Sequence, residues 1–291
     1  MKVAVTGATG FTGRRVVRAL LGRGCAVTAL VRPPATGRDL PPEVTTVEGD
    51  MGDAAALARL LWGADAFVHV ASLGFGHADQ VVTALEEAGV PRSVFFSSTA
   101  LFTRLPAASK AIRVAAEERV RSMRKGFTIL RPTMIYGDVG DRNISRLVRF
   151  VGKSPVVPLP GGGRALVQPV HVDDLGRAAV DALLSEVAAG REYNLPGAQP
   201  VPLRDLVAHI GVLLGRRLLL LPLPLRPVAA LAGLWHRLGI PPRISAEQIL
   251  RLGEDKAFSY DEARRDWGYA PRGILERLTE EAQLLRREGW I

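Results

Sequence analysis

The chain is poor in cysteine and aromatic residues, and it has no concentrated block of charge. Cys25 is the only cysteine among 291 residues, which excludes a disulfide scaffold and a cysteine-built zinc site and fits a reducing compartment. Aromatic residues make up 6% of the chain and are not interleaved with basic ones, and like charges never run five or six together. Nucleic-acid binding is therefore not expected. No apolar run is clean enough to cross a bilayer. The best candidate, residues 218–235, is broken by Pro222, Pro224 and Pro227 and charged at Arg226, whereas a spanning helix needs about 20 mostly apolar residues. That run reads as a buried helix and loop, with an interfacial anchor as the alternative. The strand-like residues 3–6 follow directly on Met1-Lys2, so no signal peptide is expected. The expected location is cytoplasmic, with membrane association left open.

The remaining composition is that of a globular protein, 47% hydrophobic and 23% charged. The formal net charge of +9 reads as arginine spread over a solvated surface, with attraction to phosphates or a membrane surface as the functional alternative. Strand-like runs at 3–6, 26–32, 44–47, 66–71, 93–98 and 127–132 alternate with amphipathic stretches at 14–22, 54–62, 78–88 and 107–124. Gly24, Gly89 and Gly126 stand where helices should stop. Such alternation predicts right-handed crossovers and an α/β fold with a doubly wound parallel sheet. Beyond residue 140 the rhythm weakens. Prolines 155, 158 and 160 and the triplet 161–163 mark a loop, 167–172 a strand and 174–184 a helix capped by Asp174. The predicted division is a dinucleotide domain, 1–140 and 166–192, with an interleaved C-terminal substrate lobe, 141–165 and 193–291.

Gly7-Ala8-Thr9-Gly10-Phe11-Thr12-Gly13 lies between the first strand and the first helix. Glycines at those three places suit the tight turn, the close approach of a pyrophosphate and close helix–strand packing of a Rossmann dinucleotide site. The helix N-terminus then directs free N–H groups at the phosphates. The second strand ends in Val31-Arg32, with no acid for a ribose 2′-hydroxyl. Arg32 offers a guanidinium to a 2′-phosphate, so NADP(H) is expected over NAD. Asp50 and Met51 are placed near the adenine, and Val70, Ala71, Ser72 and Pro132 along the rest of the cofactor.

GATGFTG at 7–13, GDMGD at 49–53, VHVAS at 68–72, FFSST at 95–99, TILRPTMIYG at 128–137, QPVHVDDL at 168–175 and YNLPG at 193–197 together resemble the NAD(P)-dependent epimerase/dehydratase branch of the extended short-chain dehydrogenase/reductases. The resemblance implies hydride chemistry on a carbonyl or hydroxyl carbon, assisted by a serine after the fifth strand and by a tyrosine and lysine four residues apart on one helix. Ser98 matches the serine. Ungapped counting through Ala116-Glu117-Glu118 puts Ser109 at the tyrosine and Arg113 at the lysine, while a shifted register puts Pro106 and Lys110 there. No tyrosine occurs before Tyr136, so the usual acid is missing in either register.

A serine hydroxyl is a far weaker acid than a phenol, and arginine does not relay protons. Ser109 and Arg113 share a helix face and can bind a hydroxyl or phosphate. Tyr136 and His77 are further candidates, and His171 reads as structural. His77, Arg142, Asn143 and Arg164 are the expected substrate contacts, the arginines suiting an anion. The reading is an NADP(H)-dependent oxidoreductase or epimerase acting on a sugar phosphate, a lipid-linked sugar or another small molecule. A homodimer and a peripheral membrane contact are compatible with it. The alternative is a non-catalytic NADP(H)-binding sensor or assembly subunit.

Overall fold

A computed structural model describes all residues except 34–39, 106–107, 125, 138–140, 142, 238–244 and 291. Strands and helices alternate through the first half. They run β1 (Lys2–Thr6), α1 (Phe11–Gly22), β2 (Ala26–Val31), β3 (Thr45–Glu48), α2 (Ala54–Leu61), β4 (Ala66–His69), α3 (Ala78–Ala88), β5 (Arg92–Phe96), α4 (Ala108–Arg121) and β6 (Gly126–Pro132). The second half contains β7 (Ile135–Tyr136), α5 (Ile144–Lys153), β8 (Val156–Pro160), β9 (Leu166–Val167), β10 (Val170–His171), α6 (Val172–Leu184), β11 (Arg191–Leu195), β12 (Val201–Pro202), α7 (Leu203–Leu213) and β13 (Leu219–Leu223). It closes with α8 (Leu225–Arg237), α9 (Ala246–Arg251), α10 (Asp261–Trp267) and α11 (Ile274–Arg287).

Seven strands form one sheet in the order β11-β6-β5-β4-β1-β2-β3, every pairing parallel. The order reverses between β1 and β4, the point at which an open α/β sheet leaves a crevice beyond its strand ends. Both faces are covered, so its strands are apolar on both sides. On one face Val16, Val17 and Leu20 of α1 meet Leu175, Ala179 and Leu183 of α6; on the other, α2, α3 and α4 bury Leu57, Leu60, Val81, Val82, Leu85 and Val120. Each such Val or Leu contributes about 1.5–3 kcal/mol. The start of α2 is fixed by Asp53, whose carboxylate accepts from the amides of Ala55 and Ala56.

The second lobe packs Ile144, Val148 and Val151 of α5, Leu206 and Ile210 of α7 and Leu278 and Leu285 of α11 against the buried face of β8. The last strand of the large sheet, β11, extends to Leu195, pairing Arg191 with Thr128 through to Leu195 with Pro132. The boundary expected at 192/193 therefore falls inside a sheet strand. The helix expected at 174–184 begins at Val172. Its N-cap is His171, whose Nδ1 accepts from the Asp173 amide, and not Asp174, which lies buried within the first turn, paired with Arg177 and Arg277.

The run 218–235, expected as a buried helix and loop, is only partly buried: it forms strand β13 and helix α8, with Ala229 and Ala232 buried but Leu219, Leu221, Leu231 and Leu234 exposed. No helix among the described residues is long and apolar enough to cross a membrane.

Candidate active site

Two hollows lie beyond the carboxyl ends of the sheet strands. The larger, about 870 Å³, follows the sheet's switch point and is lined by Gly7, Thr9, Gly10, Phe11, Thr12 and Gly13 after β1. Arg32 and Pro33 after β2, Met51, then Val70, Ala71 and Ser72 after β4 complete most of its wall. The glycines are sterically required. Gly7 has φ +73°, and a Cβ there would lie 2.6 Å from the Ala71 amide nitrogen. A Cβ on Gly13 would lie 2.0 Å from the Gly7 carbonyl oxygen. Gly10 caps α1, whose first turn carries no acid, so the free amides and partial positive charge face the hollow. An elongated cleft of this kind, with an anion-accepting helix start at one end, fits a dinucleotide. Arg32 stands at its rim 3.9 Å from Asp50, both exposed. Asp50 itself accepts from the Gly52 amide, and the Pro132 carbonyl accepts from the Thr99 hydroxyl; neither residue lines the cleft.

The second hollow, about 540 Å³, lies between the lobes. Ser98, Thr99, Phe102, Thr103 and Arg104 line it from the β5–α4 connection, Thr133 and Met134 from the end of β6, and Asn143 from the start of α5. Gln248, Arg251, Glu254, Asp255, Lys256 and Phe258 close it from the far part of the chain. Thr133 and Met134 face this cavity and the next residue, Ile135, faces the cleft, so the two hollows meet along one segment. Ser98 Oγ accepts from the Ala100 amide, which leaves its hydroxyl hydrogen to donate. Thr99, beside it, already donates to Pro132.

The far segment is strapped down. Glu254 accepts from the Thr103 hydroxyl at 2.7 Å and the Arg104 amide at 2.8 Å. Lys256 N and Phe258 N bond to the Leu166 carbonyl and Gln168 Oε1. Lys256 Nζ donates once, to the Arg251 carbonyl at 2.7 Å. Burial lowers the Lys256 pKa, and the Arg251 charge adds to that. A partly desolvated ammonium with donors to spare, sharing a cavity with Ser98, can hold or protonate a substrate oxygen. No local pattern marks Lys256, Arg251 or Phe258 in the sequence.

Helix α4 is held in register by Glu117. This buried carboxylate bonds Arg131 Nε at 2.9 Å and Arg121 at 2.8 Å, and Glu192 joins the same arginines. One turn earlier, Arg113 donates to the Ser109 carbonyl, and its guanidinium lies against Gly74 in the 3-10 turn Leu73–Phe75, next to the cleft. Burial, then the Arg251 charge, lowers its pKa. Its Nε is buried without a hydrogen-bond partner. Lys110 points elsewhere, donating to the Thr103 carbonyl. Pro106 lies outside the described residues.

Three expectations are revised. Tyr136 is fully buried in the second-lobe core, edge-on to His171, and lines neither hollow. Burial, then the Asp174 charge, pushes its phenol well above the usual range, which makes it a poor acid. His77 lines the cofactor cleft and not the substrate cavity. Arg164 is exposed and lines neither. Arg142 lies outside the described residues; Asn143 does line the cavity and donates to the Ile135 carbonyl.

Comparison with known proteins agrees with the fold and with a nicotinamide cofactor. An NAD(P)H-binding family profile matches residues 7–155, just over half of the chain. The chain is 30% identical to a ceramide reductase of Caulobacter vibrioides, covering 99% of this chain and 96% of that protein. It is 26% identical to a 2-alkyl-3-oxoalkanoate reductase of Stenotrophomonas maltophilia, covering 95% and 96%. Among solved structures, a nucleoside-diphosphate-sugar epimerase from Pseudomonas aeruginosa superposes with a TM-score of 0.81 over 100% of this chain and 99% of that one, at 22% identity. That likeness speaks for the fold. The non-catalytic alternative gains no support from relatives named for reductase activity.

Proposed function

The chain belongs to the NAD(P)H-binding family of the short-chain dehydrogenase/reductases, and on that premise we propose that it is an NADPH-dependent reductase of a ketone carried on a lipid-like molecule. The observation that carries the reading is the cavity shared by Ser98 and Lys256, walled by Phe102, Met134 and Phe258 and joined to the cleft at residues 133–135. A bound reduced nicotinamide supplies the hydride to the carbonyl carbon. The chain's own groups then act on the oxygen that receives the carbonyl electron pair. Ser98 donates a hydrogen bond to it, and Lys256 gives the proton that completes the alcohol, to be replaced from solvent. Arg113 contributes fixed positive charge from beneath the Leu73–Phe75 turn, where the resembled family uses lysine.

Two relatives, named as a ceramide reductase and a 2-alkyl-3-oxoalkanoate reductase, support the choice of a lipid-like ketone. The sugar-phosphate expectation rested on arginines 142 and 164. With Arg164 facing solvent away from both hollows, it is not carried further.

The test is NADPH oxidation by the purified protein with long-chain 3-oxo lipids, followed by absorbance and product mass. Ser98→Ala and Lys256→Met are each expected to lower kcat by about 100-fold or more with NADPH affinity unchanged. Turnover that survives both substitutions would remove these residues from the mechanism. NADPH binding with no turnover on any long-chain ketone would sink the substrate assignment.

A further inference from the structure

The second lobe presents a surface whose composition no intramolecular contact among the described residues explains. In the two-stranded ribbon β8–β13, Val156 pairs with Leu219 and Pro158 with Leu221, and all four side chains are exposed. Their neighbours Val157 and Leu159 point the other way, into the lobe core. Among the described residues β13 pairs only with β8, so the ribbon ends in a leucine-rich edge.

Helix α8 follows after Pro224. It buries Ala229 and Ala232 against Ile249 of α9, yet Pro227, Ala230, Leu231 and Leu234, spaced as one helical stripe, face solvent. Leu231 and Leu234 are 49% and 51% exposed and Leu219 is 63% exposed. Apart from Arg226, α8 has no polar residue before His236. A solvated helix ordinarily carries its charges on the face that these leucines occupy.

The two stretches of chain that carry this surface hold charge of one sign, while Glu247, on the neighbouring α9, pairs with Arg251. Residues 142–172 and 206–246, the two stretches that contain the ribbon and α8, hold no aspartate or glutamate. They carry ten basic residues, five in each stretch, against a net charge of +9 for the whole chain. The excess charge is thus not spread over the molecule but concentrated in the lobe with the apolar face. Arg216 and Arg217 lie just before β13 and Arg226 in the first turn of α8; all three are exposed, and none forms an ion pair among the described residues. Exposed leucines beside unpaired arginines match the acyl chains and anionic headgroups of a bilayer surface.

We propose that the β8–β13 ribbon and α8 form a peripheral docking surface for an anionic lipid bilayer. The leucines enter the interface, and the arginines lie at headgroup level. Leu225 of α8 touches Gly253, a wall residue of the Ser98–Lys256 cavity, so docking brings that cavity close to the membrane. If the lipid-like substrate assignment holds, the same contact delivers the substrate. The docking itself does not depend on that assignment.

The test is co-sedimentation of the full chain with phosphatidylcholine vesicles, with and without phosphatidylglycerol. Binding is expected to the anionic vesicles and to weaken as salt rises. The double variant Leu231→Asp/Leu234→Asp should lower partitioning at least tenfold while NADPH still binds. Arg216→Ser/Arg217→Ser should lower it about fivefold per charge removed, on anionic vesicles only. The arginine pair decides the matter if the leucine variant fails to fold. Absence of binding to anionic vesicles would overturn the proposal. So would a wild-type dimer that the leucine variant converts to a monomer without vesicle binding at any composition, since the face would then be an interface between two copies.

Discussion

Replacing Arg32 by serine removes the one cation at the end of β2 that lines the cofactor cleft. Its expected effect follows from its setting. The side chain is 74% exposed and lies 3.9 Å from Asp50, itself 47% exposed, so water screens it and a carboxylate competes for it. A charge-assisted hydrogen bond contributes about 1.5–3 kcal/mol, and screening at such a site brings the value to about 1–2 kcal/mol. That converts to a roughly 5- to 30-fold weaker Kd for NADPH. NADH lacks the 2′-phosphate and should change by less than about twofold. Asp50→Asn, which frees Arg32 and removes a like charge, should tighten NADPH by about two- to fivefold. Calorimetric titration of each protein with both nucleotides, at low and high salt, measures these affinities. Equal losses for NADH and NADPH in the Arg32 variant, or a wild-type preference for NADH, would refute the role given to Arg32.

Gly13→Ala places a methyl 2.0 Å from the Gly7 carbonyl oxygen and 2.8 Å from Ala8 backbone atoms. Backbone must move, so nucleotide binding should fall at least 100-fold, whereas Gly10→Ala, whose Cβ meets only Gly7 O at 3.2 Å, should retain part of it; nucleotide titration of both distinguishes them. His69 is buried between Phe67 and Phe95, with Thr6 on its Nδ1. Burial, then the charge of His77, lowers its pKa from 6.5 to about 3. The unfolded chain then binds the extra proton, so the stabilisation is complete above pH 6.5 and is lost as pH falls toward 3. At pH 5 the loss is about 2 kcal/mol, and urea titrations at pH 7 and 5 should show it for wild type and not for His69→Gln. His171, lowered by burial and Arg277, adds a loss of the same sign that both proteins share.

The part of the site made by consecutive residues was legible, because its constraint is local. A turn that needs positive φ and a close backbone crossing writes Gly7 and Gly13 into seven adjacent positions, and strand–helix alternation places them at a sheet edge. The substrate cavity depends on contacts between distant residues. Glu254 and Thr103 are 151 positions apart, and no spacing rule joins Lys256 to Ser98. Tyr136 misled for a related reason. In a strand of two residues one step of register decides whether a side chain faces the pocket or the core, and β7 pairs with β10 so that Tyr136 lies opposite His171, inside. Residues 218–235 misled because apolar composition with no polar face fits a buried helix as well as an interfacial one; only the packing of α9 on one side alone separates them.

On the proposed assignment, the substitutions on α4 change how charge and proton supply are divided. In the resembled family a tyrosine and a lysine on one helix carry both. Here Ser109 and Arg113 occupy that face, and the arginine, braced by the Ser109 carbonyl and lying under Gly74, keeps the charge but has no proton to exchange at neutral pH. In the proposed mechanism the titratable ammonium is instead Lys256, in a segment tied to the Rossmann lobe through Glu254, Thr103 and Arg104. Its pKa is lowered by burial and by Arg251, and Arg251 also acts on Arg113, so the two cations share one electrostatic neighbourhood. On the proposed assignment, proton transfer requires the second lobe to be seated against the β5–α4 connection. Hydride donation and protonation are then coupled through the fit of two lobes and not through adjacent turns of one helix.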